Sequence, residues 1–271
     1  MGLTSWLRTR LGNRAPKAQH RPVATRFRPQ LEPLEDRWLP STLTVTNNLD
    51  SGPGSLRAEI AAAHNNDKIV FAPSLDDQTI TLTSGSLDIH KVKNLTIQGP
   101  GAGHLTVSGS RSATVFLIEA NATNITLSGL TISGGQGNAG NPYYVNQGDG
   151  GGIYNAGTLT VSGCTLTDNH GSAGGFPSAL GGGIYNVGML TVTGSTLSGN
   201  TGSYGAGIYN ALGATLTVSG CTLSGNRADY TGAGGAIYNA GTLTVSDSVF
   251  SLNYPGNIYG SYTDGGGNTF G

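Results

Sequence analysis

Charge is scarce in this chain of 271 residues: Asp, Glu, Lys and Arg together make up 11% of it. Long apolar runs are scarcer still. No stretch approaches the ~20 consecutive apolar residues of a membrane helix, and the N-terminus lacks the ~7–15-residue apolar core of a standard secretory signal. The two cysteines, Cys164 and Cys221, are too few for a disulfide framework, and no metal-ligand spacing or calcium-loop motif is present, so neither a metal nor another cofactor is expected. Cationic clusters are confined to the start. Residues 1–40 hold eight of the 14 Lys and Arg against three acids, which leaves six basic and twelve acidic residues over 41–271. A region of that balance is a poor partner for a phosphate backbone, which excludes nucleic-acid binding.

What the chain has in abundance is glycine, 45 residues, and a repeated phrase. GGGIYN occurs at 150–155 and 181–186, GAGIYN at 205–210 and GGAIYN at 234–239. Each is followed in turn by TLTVSGCTLTDN (158–169), MLTVTGSTLSGN (189–200), TLTVSGCTLSGN (215–226) and TLTVSDSVFSLN (242–253). Apolar and hydroxyl residues alternate within each phrase: Leu159 and Val161 face one way, Thr158, Thr160 and Ser162 the other. After the bend at Ser162-Gly163 the alternation resumes with Cys164 and Leu166 inward, and Ile-Tyr supplies a third short strand. Such a unit cannot bury its own apolar face, but stacked as parallel rungs the units share one continuous core. The predicted fold is all-β: a single-stranded right-handed parallel β-helix with three short strands per rung.

Successive Ile residues of the Ile-Tyr phrase (153, 184, 208, 237, 258) are 31, 24, 29 and 21 apart. From each Ile to the Asn closing the next phrase takes 16, 16, 18 and 16 residues, and from that Asn to the next Ile takes 15, 8, 11 and 5. Insertions therefore emerge from one side of the cylinder, the side on which solenoids commonly bind. Upstream, Ser55 can cap a helix bearing Leu56 and Ile60 and ended by Asn65-Asn66, and a helix lying across the first rung would close the core. The predicted organisation is a basic leader at 1–40 and the β-helix at 41–271, with cap and early rungs at 42–110 and regular rungs at 111–271.

The GGAI at 234–237 followed by FSLN at 250–253 resembles the paired GGAI and FxxN repeats of polymorphic outer-membrane proteins, which are bacterial surface adhesins. SGPGSLRAEI (51–60) is similar to the SLR-x-AI signature of exported bacterial β-helix proteins, and LEPLEDRWLPS (31–41) resembles a motif near the start of large exported repeat proteins. The resemblance implies the pectate-lyase-like superfold and an extracellular or cell-surface location. It implies nothing about activity, because these motifs encode rung geometry.

The columns and the variable turns hold the residues to weigh for structure or function. Tyr154, Tyr185, Tyr209 and Tyr238 (with Tyr259) form one column facing outward, either a sugar-stacking stripe or a self-supporting ladder. Asn155, Asn186, Asn210 and Asn239, and Asn169, Asn200, Asn226 and Asn253, form two columns read as structural amide ladders. Cys164 and Cys221 sit two rungs, about 9.6 Å, apart, too far for a disulfide, and are predicted to be free and buried. The variable turns carry Tyr143, Tyr144, Asp149, Phe176, Tyr204 and Tyr230, suited to a polysaccharide or cell-surface glycan. Asp168, His170, Arg227 and Asp229 are the candidates if the chain is a polysaccharide lyase or glycosidase. The enzyme motifs themselves are missing: of the NTD, DD, GHG and RIK set, only Asp76-Asp77 appears, with His104 in AGHL. A non-catalytic module for adhesion, glycan contact or envelope structure is the expected function.

Overall fold

The structure, a computed structural model, describes residues 39–137, 150–171 and 179–271. One full rung shows the principle. Strand Thr158–Ser162 turns through Gly163 into Thr165–Thr167, which turns through Asp168 and reaches the third strand, Ile184–Asn186, after the variable segment. Repetition stacks these strands into three parallel sheets of nine, eight and seven strands. Register is strict: Leu159, Leu190, Leu216 and Leu243 align across four neighbouring strands, as do Val161, Val192, Val218 and Val245. These residues, with Ile153, Ile184, Ile208 and Ile237 from the third sheet, fill a single buried core.

Outward positions on the first sheet are hydroxyl-bearing. Thr96, Thr126, Thr160, Thr191, Thr217, Thr244 and Thr263 form one column, because β-branched residues suit a half-buried pleated surface. Each bend uses left-handed backbone. Gly129, Gly163, Gly194, Gly220 and Asp247 share one bend column, and Gly134, Asp168, Gly199, Gly225 and Leu252 share the next, all with positive φ. The glycines of GGGIYN answer to two requirements. Gly181 has φ +63°, and a Cβ on Gly183 would lie 2.5 Å from the carbonyl oxygen of Gly207 in the next rung.

The corners are closed by amides. Asn155, Asn186 and Asn210 each donate Nδ2–H to the Oδ1 of the following asparagine at 2.7 Å, ending on Asn239. Asn169, Asn200 and Asn226 do the same at 3.1, 2.9 and 2.9 Å, ending on Asn253. All but Asn253 are buried. Cys164 and Cys221 are free and buried. Their backbone N–H groups donate to Ser195 and Ser248 Oγ at 3.1 Å, and burial pushes the Cys164 thiol up to about 11 and raises Cys221 as well.

The helix Leu56–Ala62 covers the first rung, packing Leu56 and Ile60 against strands Thr42–Val45 and Leu87–Ile89. Ser55 Oγ accepts from Ala58 N at 3.2 Å, as an N-cap should. The helix stops at Ala62, ahead of Asn65-Asn66. His64 N donates to Asp67 Oδ2 at 2.8 Å, and the chain turns there into strand Lys68–Phe71. Asp50 ties the cap to the connection between strands Gln78–Thr81 and Leu87–Ile89: it accepts from Arg57 at 2.7 Å, Thr83 at 3.0 Å and Ser84 N at 2.8 Å.

Candidate functional site

The residue after each closing asparagine leaves the core and begins a fourth, narrow parallel column that the three-strand reading missed. Gln136, His170, Thr201, Arg227 and Tyr254 pair in that order through backbone bridges. Thr201–Gly202 and Arg227–Ala228 are long enough to count as strands. Alternation places Gly171, Gly202 and Ala228 inward and His170, Thr201 and Arg227 outward, one per rung. The only trace in the sequence is positional, since His, Thr, Arg or Tyr follows the asparagine at the same place without a shared chemistry.

Side chains in this column touch their neighbours. His170 Nδ1 is hydrogen-bonded to Thr201 Oγ1. Burial lowers the His170 pKa and Arg111 adds to the effect, while the charge of Asp229 opposes it, so the imidazole is uncharged at neutral pH. Arg227 lies over the Tyr254 ring, 5.8 Å from Cζ to centroid. Among the described residues, no ion pair within 4.0 Å involves Asp168, Arg227 or Asp229. Asp168 occupies a left-handed bend equivalent to Gly134, Gly199 and Gly225, so its position answers to backbone geometry.

The tyrosines build a ladder whose character changes along the solenoid. Tyr154–Tyr185 and Tyr185–Tyr209 are tilted pairs at 5.6 and 5.4 Å, whereas Tyr209–Tyr238 and Tyr238–Tyr259 stack at 4.9 Å with interplanar angles of 2° and 18°. Of the two readings of this column, the ring contacts fit the self-supporting ladder, and a fully exposed stripe is not formed. Tyr154 and Tyr185 are buried, with 5% and 6% exposure, and Tyr209 and Tyr238 are half-buried. Rings one rung apart spend their faces on one another, so the ladder interior offers edges rather than platforms. Tyr204 packs edge-on against Tyr238 at 5.4 Å and stacks on Tyr230 at 5.3 Å. Tyr230, Tyr254 and Tyr259 are exposed, as are Tyr262 and Phe270 nearer the C-terminus, and a Cβ on Gly232 would meet the Tyr259 ring at 3.7 Å.

Of the other sequence candidates, Tyr143, Tyr144, Asp149 and Phe176 lie outside the described residues. The structure also joins His104 to the adjacent Asp76 and Asp77, 28 and 27 positions earlier, with no spacing signature between them. His104 Nδ1 is 3.2 Å from Asp76 Oδ1 and 3.3 Å from Asp77 Oδ1. This group lies at the capped end, away from the rungs that carry the tyrosine ladder.

Comparison with known proteins gives two findings. A family model described as "Right handed beta helix region" matches residues 79–270. Among solved structures, a pectin methylesterase crystallised with a hexasaccharide aligns with 12% identity and a TM-score of 0.45 over 77% of this chain. The alignment spans 65% of that enzyme and carries no argument about chemistry. No curated protein matches the chain.

Proposed function

The chain belongs to the right-handed β-helix family, and from that premise we propose a non-catalytic, exported or cell-surface module that contacts carbohydrate through its fourth column. One observation carries this reading. Tyr230 and Tyr254 are exposed aromatic rings in the segments that absorb the variation in rung length, Tyr259 is exposed in the strand that follows, and Arg227 lies over the Tyr254 ring. A planar ring beside a polar fork suits a pyranose, with an apolar face to stack and equatorial hydroxyls to receive hydrogen bonds. One outward polar or aromatic side chain per rung (Gln136, His170, Thr201, Arg227, Tyr254), about 4.8 Å apart, suits an extended chain better than an isolated sugar.

The candidate catalytic groups around the fourth column are not assembled as an acid–base pair. His170 spends Nδ1 on Thr201, and neither Asp168 nor Asp229 is within ion-pairing distance of a base. Export accords with the low charge and with the resemblance of the leader, and adhesion or envelope structure would follow from surface display.

A glycan array followed by calorimetry on the retained oligosaccharide tests the proposal. Tyr230→Ala or Tyr254→Ala is expected to weaken binding about tenfold, ~1.4 kcal/mol. Loss of all glycan retention by wild type would sink the carbohydrate reading. Release of reducing ends or unsaturated uronates, abolished by Asp168→Ala or Arg227→Ala, would replace it with a polysaccharide lyase or glycosidase.

A further inference from the structure

We propose that Asp76, Asp77 and His104 form a divalent transition-metal site that staples two successive rungs near the capped end. It is independent of the carbohydrate reading and uses none of the same residues.

Strand register builds the group. Strand Gln78–Thr81 pairs with Leu105–Ser108, with Gln78 opposite Leu105. The residues one step earlier, Asp77 and His104, therefore face each other across a single rung spacing. Asp77 N donates to the His104 carbonyl at 2.5 Å, which fixes the two segments together. Asp76 ends the single 3-10 turn Pro73–Leu75, its N–H bonded to the Pro73 carbonyl at 3.2 Å. Asp77 then reverses direction with φ +58°. Both carboxylates consequently converge on the same imidazole nitrogen.

The distances fit an ion. All three donor atoms lie within 4.8 Å of one another, and Nδ1 is 3.2 and 3.3 Å from the two carboxylate oxygens. Two ligands on a tetrahedral zinc, each at about 2.1 Å, are separated by roughly 3.4 Å. Small rotamer adjustments would close the remaining gap, and all three side chains are exposed enough to make them. One imidazole and two carboxylates select zinc, manganese, cobalt or nickel, while calcium and magnesium prefer oxygen alone. Water completes the coordination on the solvent side.

Isothermal titration of the full chain with zinc chloride, after EDTA treatment and dialysis, is the test. One saturable site is expected, with a thermal midpoint that rises by several degrees under excess zinc. Either His104→Ala or the double variant Asp76→Asn/Asp77→Asn is expected to weaken zinc at least tenfold while keeping the metal-free circular dichroism and midpoint of wild type. Three results would overturn the site: no saturable zinc binding, unchanged binding in both variants, or calcium competing on equal terms. Because these side chains are exposed and outside the core, one variant failing to fold still leaves the other to decide.

Discussion

Replacing Asn200 by alanine measures how much of the solenoid's stability resides in its amide ladders. Asn200 is fully buried and makes four hydrogen bonds. Its Nδ2 donates to the Leu166 carbonyl at 3.0 Å and to Asn226 Oδ1 at 2.9 Å, and its Oδ1 accepts from Asn169 N and Asn169 Nδ2, both at 3.1 Å. Alanine removes all four and leaves the backbone N–H of Asn169 without its partner in a buried corner. At about 1 kcal/mol for each of the other three bonds, and about 1–3 for the orphaned buried donor, the expected cost is roughly 4–6 kcal/mol. For a β-helix this size that lowers the thermal midpoint by about 10 °C. Asn253→Ala is the control. It too makes four bonds, but Asn253 is half-buried in the last full rung, where water can replace the amide, so the expected cost is about 1 kcal/mol. Urea unfolding of both variants decides the matter. Equal losses, or a loss under 1 kcal/mol for Asn200→Ala, would refute the argument that buried amide partners hold the corner.

Two further outcomes follow from the cap and the core. Burial alone would raise the Asp50 pKa, but hydrogen bonds from Ser84, Arg57 and Thr83 outweigh it and hold the carboxyl well below the usual range. A depressed folded pKa contributes stability that is present above the unfolded value, about 3.9, and is lost as pH falls toward the folded one. Asp50→Asn should therefore be less stable than wild type at pH 7 and converge with it in strong acid; parallel stability curves across pH 2–7 would contradict this. The Cys164 thiol, pushed up to about 11, and the similarly raised Cys221 should resist iodoacetamide in the native state at pH 8 and react fully after denaturation. Mass spectrometry reads the labelling, and stoichiometric native alkylation would show the core to be open.

The rungs were legible in the sequence because their chemistry is periodic. Leu159 and Val161 alternate with threonine at period two, and GGGIYN returns at every third corner, so strand identity, register and the amide columns all follow from counting. The tyrosine ladder was legible as a column but not as a surface. Outward orientation does not decide exposure once rings one rung apart stack at 4.9 Å, and only the ends of a stack keep a free face. The fourth column was hidden for a different reason. Its strands are two residues long or single bridges, and its outward residues, His, Thr, Arg and Tyr, share no chemistry that a pattern could register. The Asp76, Asp77 and His104 group was hidden because its ligands meet only through the pairing of Gln78 with Leu105.

Both candidate sites obey the same constraint. A side chain inside a strand is committed, inward to the core or outward to the hydroxyl face, and an asparagine at a corner is committed to its neighbours in the ladder. The residues just beyond a strand or ladder position carry neither duty, yet backbone pairing still holds them at one-rung spacing. Asp77 and His104 stand one residue before paired strands; His170, Thr201, Arg227 and Tyr254 stand one residue after ladder asparagines. Such positions combine precise placement with freedom of residue type, because register is maintained by the backbone bonds of Gly135 to His170, Asn169 to Thr201 and Asn200 to Arg227 whatever the side chain. Chemistry can change there without touching the frame, and both proposed sites draw on such positions.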